Sequence, residues 1–319
     1  MTITILLPCY NHGRFIGRAL QALARQTMPP DEIILIDDGS TDDTIAVVEQ
    51  FDDDLPQLRV LRNPENLGVN RSVNLGIAEA RNEYIVCSAA DDWLEPVFVE
   101  RMTAARRAFP DARLYVSAFV ELHEAEDRLV RHGRQSELGC WYVGDQPSFI
   151  TAAALGALLG RGFVWLPING ALIHRATMSG LGGLDPALRW HADWFATMAI
   201  ALRHGFAVIP TPMSVFRVAA DSHSGSGMRE PRLQREVCAA IFAKLKTPEF
   251  RDLYRAIRRR PATLSPFIRY FLMNLAVTPR DWPFLGAVLV WWLNEVRKGR
   301  RPRMVREFLK AHHLLAPPY

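Results

Sequence analysis

The chain has 319 residues, of which 49% are hydrophobic and 23% are charged, and its net charge is +4 with a pI near 9.0. This composition excludes a disordered chain and allows a full core in one large or two ordinary domains. The mild basic bias suits an anionic substrate or a membrane surface, and it does not call for nucleic acid. We therefore expect no nucleic-acid partner.

The four cysteines, Cys9, Cys87, Cys140 and Cys238, lie far apart in the sequence and show no metal-ligand spacing. This pattern predicts reduced, buried thiols in a cytoplasmic protein. The first ten residues, "MTITILLPCY", lack a basic leading region, and their apolar run is too short for a signal peptide. We expect them to form the first strand.

Short apolar runs alternate with helical periodicity through the first 120 residues. A helix is predicted from Phe15 to Leu23, where apolar residues recur at helical spacing, and further helices follow the next strands. Strand–helix alternation of this kind predicts a parallel sheet with right-handed crossovers. The predicted strands are "ITILL", "EIILID", "LRVLRN", "EYIVCSA" and "ARLYVSAFV".

Polar clusters follow three of these strands: "PCYN" (8–11), "DDGS" (37–40) and the pair Asp91 and Asp92. Ligands of open parallel sheets bind at the carboxyl ends of the strands, so these clusters predict one shared site. Part of "DDGSTDD" is explained by capping of the next helix through Ser40, Thr41 or Asp42. Likewise, Asp91 and Asp92 could simply cap the helix that begins near Pro96.

Two common phosphate-binding motifs are absent from the sequence. It contains no G-x-G-x-x-G after a strand and no G-x-x-x-x-G-K-[ST], which excludes a dinucleotide fingerprint and a Walker loop. A divalent cation held by one or two carboxylates would serve instead, because Mg²⁺ takes such ligands together with substrate phosphates. Asp91 and Asp92 stand where this cation is expected.

The second half of the chain carries a longer apolar segment, "PFLGAVLVWWL" (283–293), which is too short to span a bilayer. Its Trp pair, followed by "NEVRKGRRPRMVR", is typical of a helix anchored at a membrane surface. A core helix with a solvated basic end is the alternative. The Gly/Ser-rich segment "ADSHSGSGM" (220–228) predicts a lid or a linker.

The ordered segments "PCYN", "ILIDDGSTDDT", "NPENLGVNRSVNLGI" and "YIVCSAADDWLEP" resemble the inverting glycosyltransferases of family 2. The resemblance implies the GT-A fold, an α/β architecture with a mixed, mostly parallel sheet flanked by helices. It implies a glycosyltransferase domain over residues 1–225, with a nucleotide-binding half up to about residue 120 and an acceptor half after it. The helical region 226–319 would then serve membrane-surface or oligomer contact.

The resemblance also implies a nucleotide-diphosphate sugar as donor, with a UDP-sugar favoured, and a hydroxyl group as acceptor. Asp91 and Asp92 would bind Mg²⁺ or Mn²⁺, and Asp193 in "WHADW" would be the general base. The implied location is cytoplasmic, at the inner face of a membrane. The implied donor-binding residues are Pro8, Cys9, Tyr10, Asn11, Asp37, Asp38, Asn74, Ala90 and Asp91.

The sequence departs from the family pattern at three places. Ala89 stands where a further acid is common, Val73 and Asn74 replace a usual Arg-Asn pair, and Ala192 replaces an acid before Asp193. These departures leave open an alternative, a nucleotide-sugar-binding module without turnover.

Several further residues are candidates for substrate contact. Trp190 and Trp194 could wall a sugar site, and His191 could touch a substrate or be a polar surface residue. Arg217 and His223 flank the 220–228 segment and could reach the diphosphate, the alternative being two surface residues.

Overall fold

The structure is a computed structural model that describes residues 2–123, 128–132, 146–159, 164–218, 230–264, 270 and 282–297. One mixed sheet forms its centre, with the strand order β3-β2-β1-β4-β9-β6-β10-β5, while β7 pairs with β6 and β8 with β10. The strands are β1 (Ile3–Cys9), β2 (Glu32–Asp37), β3 (Leu58–Arg62), β4 (Tyr84–Cys87), β5 (Trp93–Leu94), β6 (Leu114–His123), β7 (Arg128–His132), β8 (Ser148–Ile150), β9 (Ala171–His174) and β10 (Phe206–Val218).

Helices cover both faces of the sheet. They are α1 (Gly13–Ala24), α2 (Thr44–Glu49), α3 (Val69–Glu79), α4 (Phe98–Ala108), α5 (Ala152–Leu159), α6 (Arg175–Gly180), α7 (Ala192–His204), α8 (Pro231–Leu245), α9 (Arg251–Arg259) and α10 (Trp282–Arg297). A 3₁₀ helix, Pro186–His191, leads directly into α7. The predicted strand–helix alternation and the mostly parallel sheet are thereby confirmed.

Strand β1 shows how the sequence divides the core into two layers. Successive side chains of a strand point to opposite faces, so Ile3, Ile5 and Leu7 pack with α1 and α4 on one side. Leu6 faces the other side and packs with α3 and α7. Burying apolar side chains on both faces requires helices on both faces, which the crossovers of parallel strands supply.

Pro8 lies inside β1, although the sequence pattern predicts that it follows the strand directly. It pairs with Ile36 of β2, while the pairing with β4 ends at Leu6. Proline has no N–H to donate, so it is tolerated here because β1 has already passed the last β4 partner. The strand therefore continues to Cys9 and brings Tyr10 directly to the sheet edge.

Strand β9 interrupts the parallel order. It runs antiparallel between β4 and β6, and β6 and β10 then run parallel to each other. The apolar run in "GALIHR" (170–175) is typical of a strand, but it does not indicate an antiparallel place in the middle of the sheet. The start of β9 is brought beside the end of β4, where an isolated bridge joins Cys87 and Asn169.

The C-terminal helices pack on the domain and on one another. Helix α8 packs against the 3₁₀ helix, and α9 contacts α7, α8 and α10. The ring of Phe284 in α10 lies 5.6 Å from Tyr254 in α9 and 5.7 Å from Phe242 in α8. The predicted domain boundary at residue 225 falls outside the described residues, as do the 220–228 segment and Cys140.

A turn before the 3₁₀ helix is fixed to α3 by one side chain. Asn74 Nδ2 donates to the Leu184 carbonyl at 2.8 Å, and its Oδ1 accepts from Leu184 N at 2.7 Å. Gly183 lies beside this clamp at φ +70°, and a Cβ there would stand 2.2 Å from Asn74 Oδ1. The neighbouring Gly182 has φ +80° and nothing within 4 Å of such a Cβ.

We therefore expect Gly183→Ala to destabilise the fold more than Gly182→Ala. A non-glycine residue at positive φ costs about 1–2 kcal/mol, which applies to both variants. Gly183→Ala also displaces Asn74 and loses about 1 kcal/mol for each of its two hydrogen bonds. Urea unfolding measures the difference, and equal midpoints for the two variants would show that the clamp contributes nothing.

Candidate active site

The ends of β1 and β2 are joined by hydrogen bonds between their loops. Asp38 N donates to the Cys9 carbonyl at 2.8 Å, and Asn11 N donates to Ser40 Oγ at 2.9 Å. Asn11 Oδ1 in turn accepts from Thr41 N at 2.8 Å. Asn11 has φ 53°, a left-handed conformation that asparagine adopts more readily than most residues. The predicted convergence of two polar strand ends is confirmed.

Part of the acidic cluster after β2 is structural. Asp42 Oδ2 accepts from Gly13 N at 3.0 Å, and its Oδ1 accepts from Thr44 N at 3.0 Å. This carboxylate therefore fixes the starts of α1 and α2 together, and the N-cap of α2 is Asp43 rather than any of the three residues considered from the sequence. Gly39 has φ +78°, a conformation that glycine adopts without steric cost in a tight turn.

Asp38 is buried and holds the loop between β3 and α3. Its oxygens accept from Asn63 Nδ2 at 2.7 Å, Leu67 N at 2.9 Å and Gly68 N at 2.8 Å. Burial opposes the charge of Asp38, but these hydrogen bonds outweigh it and keep the pKa below the usual value. Both oxygens of Asp38 are thus engaged within the protein.

The neighbouring Asp37 ends β2 with its side chain fully buried. Its Oδ1 accepts from Ser40 N at 3.1 Å, and its Oδ2 lies 3.4 Å from Nε of the exposed Arg62. Tyr10 is 42% exposed at the end of β1, whereas Cys9 is buried. Burial raises the pKa of the Cys9 thiol to about 12, with a smaller contribution from the charge of Asp37. Cys9 is therefore an uncharged packing residue at this edge.

Asp92 is held by groups from two other strands. Its Oδ1 accepts from Arg217 N in β10 at 2.7 Å, and its Oδ2 accepts from Asn169 Nδ2 just before β9. Asn169 Oδ1 also accepts from Ala89 N at 3.2 Å. Burial, and secondly the charge of Asp91, raise the pKa of Asp92 to about 8.

Asp91 faces the Arg217 guanidinium. Arg217 Nη2 lies 3.2 Å from Asp91 Oδ2, and Arg217 Cζ lies 3.9 Å from the centre of the Phe15 ring. The side chains of Asp91 and Arg217 are 20% and 13% exposed, so the pair is accessible but largely enclosed. The surface alternative for Arg217 is wrong, whereas His223 lies outside the described residues.

The two acids differ in how well they suit a metal ion. Both Asp92 oxygens already have protein donors, whereas Asp91 pairs through its Oδ2 with the Arg217 guanidinium. Among the described residues, no group of three or more His, Cys, Asp or Glu side chains is placed to hold a metal. A site with one or two carboxylates, completed by substrate phosphates, fits the ligand habits of Mg²⁺.

Asp193 lies in the first turn of α7. Its Oδ1 accepts from Trp194 N at 2.6 Å. Burial raises the pKa of Asp193 to about 6, although this hydrogen bond lowers it. Asp193 is also close enough to Cys87, the last residue of β4, for its charge to add to the effect of burial in raising that thiol's pKa to about 12. The acid therefore stands near the same sheet edge as the β4 end.

His191 is 3% exposed, so the expectation of a polar surface residue is wrong. Its Nε2 lies 2.7 Å from Gln234 Nε2 in α8, and Gln234 Oε1 accepts from Trp190 Nε1 at 2.7 Å. Burial lowers the pKa of His191 to about 4, which keeps the ring neutral near pH 7. His191 and Trp190 therefore join the start of α7 to α8, and Trp194 is buried.

A cleft of about 490 Å³ opens between the start of α3 and the 3₁₀ helix. Asn70, Arg71 and Arg189 are among its lining residues. Arg189 has φ 47°, and its carbonyl accepts from Asn70 Nδ2 at 2.9 Å. The cleft thus borders the segment that delivers Asp193.

Most of the predicted site residues lie along one sheet edge, and two of them have structural roles instead. The edge brings together Tyr10, Asn11, Asp37, Asp91 and Asp92, and Asp193 lies near the end of β4. Asn74 uses its amide on Leu184, and Ala90 is fully buried in the core.

Sequence reasoning missed Asn63, Asn169 and Gln234, which position other site residues. Of these, Asn169 could have been found from the Asn-Gly pair in "NGALIH", which is typical of a turn. Gly170 indeed has φ +69°, and a Cβ there would stand 2.8 Å from Ser214 Oγ.

Residues 4–142 match the family model described as "Glycosyl transferase family 2". This part of the chain is therefore similar to family 2 glycosyltransferase domains. Over 225 residues it is 28% identical to EpsH of Bacillus subtilis strain 168, a protein named as a glycosyltransferase. This match covers 69% of the chain and spans 62% of the length of EpsH.

Solved structures show the same fold. TarS of S. aureus in complex with UDP-GlcNAc matches with a TM-score of 0.61 at 15% identity, covering 91% of this chain and 80% of the other. The mannosyltransferase PcManGT of Pyrobaculum calidifontis, in complex with GDP-Man and Mn²⁺, matches with a TM-score of 0.55 at 16% identity. That match covers 98% of this chain and 86% of the other. The expected GT-A fold is confirmed.

We expect Asp38→Asn to lower the free energy of unfolding by about 2–4 kcal/mol, because an amide has one acceptor oxygen where the loop presents several donors. Thermal and urea unfolding measure the loss. Asp53→Asn is the matched control, because Asp53 is an exposed acid in a turn. Equal unfolding of the two variants would contradict the role of Asp38 as a loop anchor.

Proposed function

We propose that the protein is a metal-dependent, inverting glycosyltransferase that moves a sugar from a nucleotide-diphosphate donor to a hydroxyl of a glycan, lipid-linked or other acceptor. The observation that carries the proposal is the partly open Asp91 carboxylate beside the fixed Asp92, with Asp193 near the same strand end. The complexes of TarS with UDP-GlcNAc and of PcManGT with GDP-Man support a nucleotide sugar as the donor, and we favour a UDP-sugar.

The donor nucleotide is proposed to lie over the ends of β1 and β2. Tyr10 offers an exposed ring on which a base can stack, and Asp37 Oδ2 can accept from a base N–H or a ribose hydroxyl once Arg62 moves. Pro8 and Cys9 shape the floor beneath this position, and Asn11 fixes the adjoining turn. Asp38 and Asn74 act by holding the loops that border it.

The diphosphate is proposed to lie at Asp91. Asp91 would hold Mg²⁺ or Mn²⁺, while Asp92, fixed by Asn169 and Arg217 and preceded by the buried Ala90, keeps that turn in place. When bound there, a divalent cation would supply charge neutralisation for the departing nucleoside diphosphate. Arg217, released from Asp91, is close enough to pair with a phosphate oxygen.

Asp193 is proposed to remove the proton from the attacking acceptor hydroxyl. A pKa of about 6 leaves most of this carboxylate ionised at pH 7 and makes it a better base than an ordinary aspartate. The hydroxyl oxygen then bonds to the anomeric carbon as the bond to the diphosphate breaks. One displacement without an enzyme nucleophile inverts that carbon. The cleft lined by Arg71 and Arg189 is the proposed approach for the acceptor.

The proposed location is cytoplasmic, at the inner face of a membrane, with residues 1–225 forming the catalytic domain. Buried, unbridged Cys9, Cys87 and Cys238 suit a reducing compartment. Within the described ranges, no helix is long and apolar enough to cross a membrane. The C-terminal helices are the proposed contact with the membrane surface.

We expect Asp91→Asn to weaken metal binding and Asp92→Asn to destabilise the fold. Asp91→Asn loses a charged ligand, so the Mn²⁺ concentration for half-maximal sugar transfer should rise about tenfold or more while the melting temperature stays close to that of wild type. Asp92→Asn places an amide against two donors and should lower the melting temperature. A metal titration and a thermal melt check both, with the exposed Glu65→Gln as control. An unchanged Mn²⁺ requirement in Asp91→Asn would contradict the assignment.

We expect Asp193→Asn to reduce the rate of transfer by about 10²–10⁴-fold, because the hydroxyl loses its base. Wild-type kcat/KM should rise with pH up to about 6 and then level off, since the carboxylate is protonated below its pKa. The variant should lose this dependence and still bind UDP. Transfer at the wild-type rate by Asp193→Asn would place the base elsewhere.

The same assays separate the enzyme from a binding module without turnover, the reading favoured by Ala89 and Ala192. Tight UDP binding by the wild type, with neither donor hydrolysis nor transfer across a panel of acceptors, would favour the module.

A further inference from the structure

Helix α10 presents an apolar face to solvent. Trp282 is 58% exposed, Leu289 46%, Val290 59% and Leu293 58%. At 100° per residue these four side chains fall within one stripe, with Gly286 between them and Arg297 at its end. The opposite side carries Phe284 and Val288, which are buried against the domain. A helix with apolar side chains on both sides typically contacts a second binding partner with its outer side.

The outer face of helix α9, which packs against α10, is cationic rather than apolar. Arg251, Arg255, Arg258 and Arg259 are all exposed, while Leu253 and Ile257 are buried beneath them. The helices meet through Tyr254 and Phe284, so a cationic face lies next to an apolar one.

The sequence after α10 extends the cationic character. Residues 298–306 contain Lys298, Arg300, Arg301, Arg303 and Arg306 and no acid. A surface with apolar and aromatic side chains beside clustered cations is complementary to a bilayer with anionic headgroups. The apolar stripe would enter the boundary between headgroups and acyl chains, and the guanidinium groups would pair with phosphates.

We infer that the outer faces of α9 and α10 form a docking surface for an anionic phospholipid bilayer, with Leu289, Leu293 and Trp282 as apolar anchors and the α9 arginines as headgroup contacts. This deepens the membrane contact included in the proposed function and is independent of sugar transfer.

Co-sedimentation with sucrose-loaded vesicles tests the inference, using full-length protein and either phosphatidylcholine alone or a 7:3 mixture with phosphatidylglycerol. Wild type should bind the anionic vesicles at low salt, and neutral ones far more weakly. Leu289→Asp with Leu293→Asp should weaken binding at least about tenfold, because the apolar contact is lost. Arg255→Gln with Arg258→Gln should weaken it about 25-fold, since each cation near an anionic surface contributes about fivefold.

Leu129→Asp is the matched control, because Leu129 is 61% exposed on β7, away from α10. It should bind like wild type, and melting temperatures should show that every variant folds. Wild type that fails to bind anionic vesicles, or a Leu289/Leu293 variant that binds as well as wild type, overturns the inference. A third result would also overturn the inference: the wild type is a dimer in sedimentation equilibrium, the Leu289/Leu293 variant is a monomer, and both bind vesicles equally well. The apolar face would then bind a second copy of the chain. Transfer to a soluble acceptor should be normal in all variants, which separates this test from that of the catalytic proposal.

Discussion

The carboxylate of Asp92 is the junction on which the site depends. It accepts from the main chain of β10 and from the Asn169 side chain before β9, and so joins three segments that are far apart in sequence. Burial and the charge of Asp91 raise the pKa of Asp92 to about 8, although the two donors act in the opposite direction. Because Asp92 is fixed, the adjacent Asp91 is held at the surface of the same turn. One acid thus maintains the geometry while the other remains available for chemistry.

The same division occurs at the ends of the other strands. Asp38 and Asp42 use their oxygens on main-chain N–H groups of neighbouring loops, whereas Asp37 keeps one oxygen facing only a guanidinium that is itself exposed. Asn74 and Gln234 play the corresponding part around the 3₁₀ helix that delivers Asp193. Loops at a sheet edge have main-chain N–H and C=O groups without strand partners, so many polar side chains near a site form hydrogen bonds with these groups. The residues left over are those that can meet a ligand.

This explains what sequence could and could not predict. The order of strands and helices followed from periodicity, and the convergence of 8–11 and 37–40 followed from parallel pairing. The antiparallel insertion of β9 could not be read from "GALIHR", because a short apolar strand carries no information about its neighbours. The local sequence pattern also could not predict that His191 is buried, because its hydrogen-bond partner, Gln234, lies 43 residues later in the chain. Asp37 and Asp38 are adjacent and chemically identical in sequence, and only the loop packed on Asp38 distinguishes them.

The ion pair between Arg217 and Asp91 also affects the charge at this edge of the sheet. The guanidinium pairs with Asp91, so the proposed divalent cation would have to displace a cation already present. The displacement would replace one positive charge by two and free the first, which would make the edge more attractive to a diphosphate than the divalent cation alone. Arg217 also carries the main-chain N–H that holds Asp92, so its backbone would stay in place if its side chain left Asp91. The end of β10 therefore combines a fixed main chain with a counter-ion that a ligand could displace.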